Sequence, residues 1–69
     1  MTRERTIDLL RMLREAALLL DQRYDARAVD EVRRVITEVR AELTATGQLT
    51  ALISLAWMFV ESLEKRIGS

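Results

Sequence analysis

Hydrophobic residues recur along the chain at the spacing of an α-helix, in three stretches separated by short polar segments. In the first stretch most apolar side chains fall on one broad arc centred near Leu13 and Ala16, and Glu4 and Glu15 lie on the opposite side. This division into an apolar face and a charged face is typical of a helix at a protein surface. It predicts a helix over residues 3–23.

The second stretch has a narrower hydrophobic pattern, with apolar residues alternately three and four positions apart. This is the spacing of a coiled-coil seam, and it predicts a helix over residues 26–45 whose seam packs against another helix. Asp25 is predicted to cap this helix, because its carboxylate can accept a hydrogen bond from a free amide of the first turn. The seam consists of Val29, Val32, Ile36, Val39 and Leu43.

The third stretch is the most hydrophobic part of the chain. No charged residue occurs between Glu42 and Glu61, and ten of the twelve residues from 49 to 60 are apolar. Gly47 is predicted to end the second helix, because glycine readily adopts the left-handed conformation found after helix ends. The pattern predicts a third helix over residues 48–67 with an apolar arc broad enough for several neighbours. A bilayer span needs about 20 apolar residues, so a buried helix is the better interpretation.

Three helices joined by short turns predict an all-α fold, a three-helix antiparallel bundle formed by one domain over residues 1–69. A chain of this length buries only about 60% of its unfolded surface. Since 49% of its residues are hydrophobic, we expect the excess apolar surface to drive assembly into a larger homo-oligomeric bundle, with a dimer as the first expectation. The predicted interface residues are Val29, Val32, Ile36, Val39, Leu43, Leu52, Leu55, Trp57, Met58 and Phe59.

The composition argues against several kinds of chemistry. Histidine and cysteine are absent, and there are only two glycines. Without histidine or cysteine, neither the usual transition-metal sites nor Ser-His and Cys-His catalysis is expected. Without a glycine-rich turn, no phosphate-binding loop is expected. We therefore predict no cofactor, no metal and no catalytic residues, and we expect that the protein is not an enzyme. A small all-helical enzyme or ligand binder using arginine and glutamate side chains is an alternative.

The charges balance, with eleven basic and eleven acidic residues. Strong nucleic-acid binding through bulk charge is therefore not indicated. The third helix has no basic residue before Lys65, which argues against its use as a DNA-recognition helix. A nucleic-acid-associated transcriptional regulator is kept as an alternative. It would rely on the basic residues of the first helix, which are Arg3, Arg5, Arg11 and Arg14.

Arginine and aspartate alternate around the start of the second helix, at Arg23, Asp25, Arg27 and Asp30, with Tyr24 between the first two. Similar short Arg/Asp motifs bind cyclic dinucleotides in some proteins, since a guanidinium can stack on guanine and bind phosphate. The other interpretation is a cluster of ion pairs at a helix start. The sequence does not decide between the two.

The function that these observations favour is a small protein–protein interaction module acting as a homo-oligomer. Such a module would serve as a regulator, an inhibitor or an adaptor, and its partner would be another protein. The chain starts with charged and polar residues rather than with the apolar segment of a secretion signal. We therefore expect a cytoplasmic protein and no membrane association.

Overall fold

The computed structural model describes residues 1–68 and contains three α-helices. They are α1 (Arg3–Gln22), α2 (Ala26–Thr46) and α3 (Ala51–Arg66). No strand occurs among these residues, so the prediction of an all-α, three-helix fold is confirmed. The ends of α1 and α2 lie within one residue of the predicted ones. Helix α3 begins three residues later than predicted.

Each helix begins after a residue whose side chain caps the first turn. The hydroxyl of Thr2, the carboxylate of Asp25 and the hydroxyl of Thr50 each accept a hydrogen bond from the amide three residues later, at 3.1, 2.8 and 3.2 Å. The prediction that Asp25 caps α2 is confirmed. The cap at Thr50 also explains the late start of α3, because an N-cap residue has an extended backbone and excludes the residues before it from the helix.

Helix α2 ends at Gly47, which has a positive φ angle of 63°. The chain reverses direction there, and the predicted left-handed helix end is present. A Cβ atom at this position would meet no atom within 4 Å apart from those of the adjacent residues. The requirement for glycine therefore comes from the backbone angle alone.

Replacing Gly47 with alanine is expected to lower the free energy of unfolding by about 1–2 kcal/mol, the usual penalty for a left-handed residue that carries a Cβ. Urea denaturation followed by circular dichroism measures this change. Gly68→Ala is the matched control, because Gly68 also has a positive φ, of 76°, but follows the last helix. Equal effects of the two substitutions would contradict the role given to Gly47.

The helices run up, down and up, and each contacts both of the others. Arg5 near the start of α1 binds Glu42 near the end of α2, so these two helices are antiparallel. The guanidinium of Arg66 contacts the carboxylate of Asp21 at 2.7 Å, and both residues lie near the ends of their helices. Helices α1 and α3 are therefore parallel neighbours.

The core lies along the common axis of the bundle and receives side chains from all three helices. Its apolar residues are mostly large and branched, and six of these large side chains are almost completely enclosed. Burial of such a side chain contributes about 1.5–3 kcal/mol to folding. The six residues are Leu9, Leu13, Val32, Val39, Ile53 and Val60.

Candidate functional site

The seam of α2 packs inside the chain. Val32, Ile36, Val39 and Leu43 are all buried between α2 and the other two helices, and Val29 is half-buried against the same core. These side chains are not available on the surface of a single chain. The alternating spacing of three and four correctly indicates a helix-packing face. In the structure this face packs against α1 and α3 of the same chain.

The predicted interface residues on α3 are divided between two sides of the helix. Leu55, Met58 and Phe59 are exposed, with 40%, 65% and 43% of their surface open to solvent. Leu52 is half-buried and lines a cleft beside Met1. These four residues face away from α2. The fifth predicted residue of α3 lies on the other side of the helix.

That fifth residue is Trp57, which packs against the core on the side of α3 that faces α2. The guanidinium of Arg40 lies 5.7 Å from the centre of its ring, within the range of a cation–π interaction. Arg40 is held there by the carboxylate of Glu64, at 2.8 Å. The indole is therefore partly covered by a side chain of the same molecule.

The exposed apolar residues of α3 continue onto α1. Phe59 joins two neighbouring depressions, of which one is lined by Ile7 and Leu10 and the other by Leu55 and Met58. We call the continuous area formed by these five residues the α1/α3 surface. It comprises the groove between α1 and α3 beside Phe59 and the adjoining outer face of α3, and it extends over about two helical turns.

The hydrophobic pattern of α3 explains why this surface stays uncovered. One row, which includes Ile53 and Val60, faces the core. A second row, Leu55, Met58 and Phe59, is rotated from the first on the helix. Two neighbouring helices can cover only part of an arc that wide, so the second row faces solvent.

The charged residues at the α1/α3 surface are of one sign. Arg11 and Arg14 line the depression beside Phe59, and no acidic residue in the described part of the chain lines either depression. The nearest guanidinium nitrogen of Arg11 lies 3.5 Å from the carboxylate of Asp8, a loose pair between exposed side chains. Arg14 makes no ion pair within residues 1–68. This edge of the molecule is therefore locally positive although the chain as a whole is neutral.

The sequence interpretation did not include Ile7, Leu10, Arg11 and Arg14 in the interface. A signal was present, since Ile7 and Leu10 lie at the edge of the apolar arc of α1. Their association with Phe59 depends on which side of α1 is taken by α3. That arrangement is a property of the assembled bundle, and the hydrophobic periodicity of the sequence does not reveal which side of α1 contacts α3.

Of the alternating arginines and aspartates at the start of α2, Arg23, Asp25 and Asp30 make local contacts, and Arg27 makes no ion pair within residues 1–68. Asp25 caps the helix and also accepts a hydrogen bond from Arg23 at 2.7 Å. The amide of Ala28 and the guanidinium of Arg23 lower the pKa of Asp25. The hydroxyl of Tyr24 donates to the backbone carbonyl of Arg66. These contacts join the α1–α2 turn to the end of α3.

The basic residues of α1 do not form one continuous patch. Arg5 faces α2, where its Nε donates to a carboxylate oxygen of Glu42 at 2.8 Å. This hydrogen bond lowers the pKa of Glu42. Arg3 lines the cleft beside Leu52, whereas Arg11 lines the α1/α3 surface. Arg5 therefore faces a different neighbour from Arg3, Arg11 and Arg14.

Within residues 1–68, no three acidic side chains come close enough together to hold a metal ion. Over the same residues, no helix combines the length and the hydrophobicity that a membrane crossing requires. We take the α1/α3 surface as the candidate functional site, because Leu55, Met58 and Phe59 are all exposed on it. In comparisons with known proteins, no family model, no curated protein and no solved structure matches the chain.

Proposed function

We propose that the protein is a small cytoplasmic interaction module, a regulator, inhibitor or adaptor, that acts by binding another polypeptide through the α1/α3 surface. In the simplest form of this proposal a second copy covers the surface, which gives a homodimer. The observation that carries the proposal is the grouping of Leu55, Met58 and Phe59, all exposed, into one area with Ile7 and Leu10. Continuous exposed apolar areas of this kind are typical of binding sites.

The physical reason for binding is the removal of this apolar area from water. Full burial of a leucine, methionine or phenylalanine side chain is worth about 1.5–3 kcal/mol. The side chains here are already partly covered, so each gains less. Association also costs translational and rotational freedom. We therefore expect a weak homodimer, with a dissociation constant on the order of tens of micromolar.

Two alternative functions, a nucleic-acid-associated regulator and a small helical enzyme or ligand binder, depend on free arginines and carboxylates. The structure pairs many of these groups with one another, for example Arg34 with Glu31 and Glu38 on α2, and Arg5 with Glu42 between helices. These pairings support neither nucleic-acid binding nor catalysis, and we propose neither.

Solution mass measured by light scattering across protein concentration tests the proposal. The mass is expected to rise from monomer toward dimer, and Phe59→Glu is expected to weaken this association at least about tenfold, because it places a charge in the covered area. Helix content and melting temperature of the variant should stay close to those of the parent, since Phe59 is exposed in the single chain.

Leu49→Glu provides the matched control. Leu49 is 81% exposed but lies outside the α1/α3 surface, so this variant should associate like the parent. A constant monomer mass up to about millimolar protein would contradict self-association, since even millimolar affinity corresponds to only about 4 kcal/mol. Equal dimerisation of the parent and Phe59→Glu would show that another surface is used.

A further inference from the structure

The charges beside the α1/α3 surface restrict the chemistry of its best partner. Arg11 and Arg14 flank the apolar side chains, and no carboxylate within the described residues lines the same area. A partner that covers the area must approach both guanidinium groups. Opposite charge at the rim of an interface favours association, and like charge there opposes it.

The shape of the surface restricts the partner further. One depression lies between two parallel helices, with Ile7 to Arg14 of α1 on one side and Phe59 of α3 on the other. The adjoining depression runs from Leu55 to Ser62 on the outer face of α3. Each segment rises about 10 Å at 1.5 Å per residue. A surface of this length accepts about two turns of a helix whose apolar residues are spaced by three and four.

Resting on the function proposed above, we propose that the preferred partner of the α1/α3 surface is an acidic amphipathic helix of another protein. The apolar stripe of that helix lies on Leu10, Leu55 and Phe59. Its aspartates or glutamates, placed beside the stripe, pair with Arg11 and Arg14.

A second copy of the chain matches the surface less well. It presents the same two arginines and no acidic lining residue, so in a dimer formed by this surface the second copy supplies no carboxylate to Arg11 or Arg14. An acidic helix supplies both the apolar cover and the opposite charge. Such a helix therefore binds more tightly than a second copy and displaces it from the dimer.

Selection from a displayed helix library tests this inference. The library consists of helices of about 18 residues, long enough to fold on binding. Apolar residues are varied at positions spaced by three and four, and all other positions are varied among Glu, Lys, Gln, Ala and Ser. We expect helices selected on the parent protein to carry glutamate beside the apolar stripe. Selected helices with neutral or basic flanks, or no enrichment at all, would overturn the inference.

Two charge-reversal variants separate a specific effect from a general one. The variant R11E/R14E should bind the selected helices about tenfold more weakly at low salt, and less so as salt screens the charges. The variant R27E/R33E is the matched control on α2. Arg33 lies 3.7 Å from Asp30, a loose pair like that of Arg11. Arg27 makes no ion pair within residues 1–68, and neither does Arg14. The control should bind within about twofold of the parent, and equal weakening in both variants would contradict the proposal.

The same measurements distinguish failure of the inference from failure of the proposed function. If the mass rises with concentration but acidic helices are not selected, the inference is wrong and the proposed function stands. If acidic helices bind a chain that is always a monomer, self-association is wrong and the inference stands.

Binding to vesicles of phosphatidylcholine with phosphatidylglycerol is measured in a further experiment. Binding to these vesicles without binding to any acidic helix would assign the surface to a membrane and overturn the inference.

Discussion

Replacement of Leu13 by alanine is expected to lower the free energy of unfolding by about 3–5 kcal/mol, the upper range for loss of a buried leucine side chain. Leu13 has none of its surface exposed and lies in the core between α1 and the other two helices. The loss has two parts, the transfer free energy of the removed methyl groups and the cavity that remains. A domain of this size has a small total stability, so the variant should be largely unfolded at moderate temperature.

Urea denaturation followed by circular dichroism measures the effect, and Leu18→Ala is its matched control. Both residues are leucines of α1, but Leu18 is 47% exposed. The control should therefore lose less than about 1 kcal/mol, as most surface substitutions do. If the two variants unfolded at the same urea concentration, the assignment of Leu13 to the core would be wrong.

The second large effect is expected from enlarging a residue where the helices pack closely. Ala56 on α3 has none of its surface exposed and faces the core. Ala56→Leu must displace neighbouring side chains or separate the helices, which typically costs about 1–3 kcal/mol. Helix propensity does not offset this cost, because leucine is slightly less favourable than alanine in a helix.

Thermal unfolding at a fixed protein concentration measures this loss, with Ala41→Leu as the control. Ala41 lies on α2 and is exposed, so the same enlargement should change the stability by less than about 0.5 kcal/mol. A higher melting temperature for Ala56→Leu would indicate an unfilled space beside α3. That result would contradict the close packing described here.

The elements of the fold could be predicted from the sequence because local signals are strong. Asp25 and Gly47 mark a helix start and a helix end through interactions within a few residues, and the structure shows both. The start of α3 was less accurate, because Gln48 and Thr50 both follow the turn and only the second caps the helix. Side-chain capping decided that boundary, and hydrophobic periodicity does not reveal it.

The candidate site was only partly predictable, for a different physical reason. The spacing of Val32 and Val39 shows that α2 packs against a helix, but it does not show whether that helix belongs to the same chain. The exposure of Phe59 depends on how much of α3 the other helices cover. Long-range packing decides both properties, and it also places Ile7 and Leu10 beside Phe59.

The odd number of helices has a mechanical consequence. Because the chain passes along the bundle three times, Arg3 and Arg66 lie near opposite ends of a body 34 Å long. A pulling force applied between them is directed along the helix axes and slides α1 past α3, so the contacts between these helices bear the load together. A bundle with an even number of helices has both attachment points at one end, and the same force would peel its contacts apart one after another.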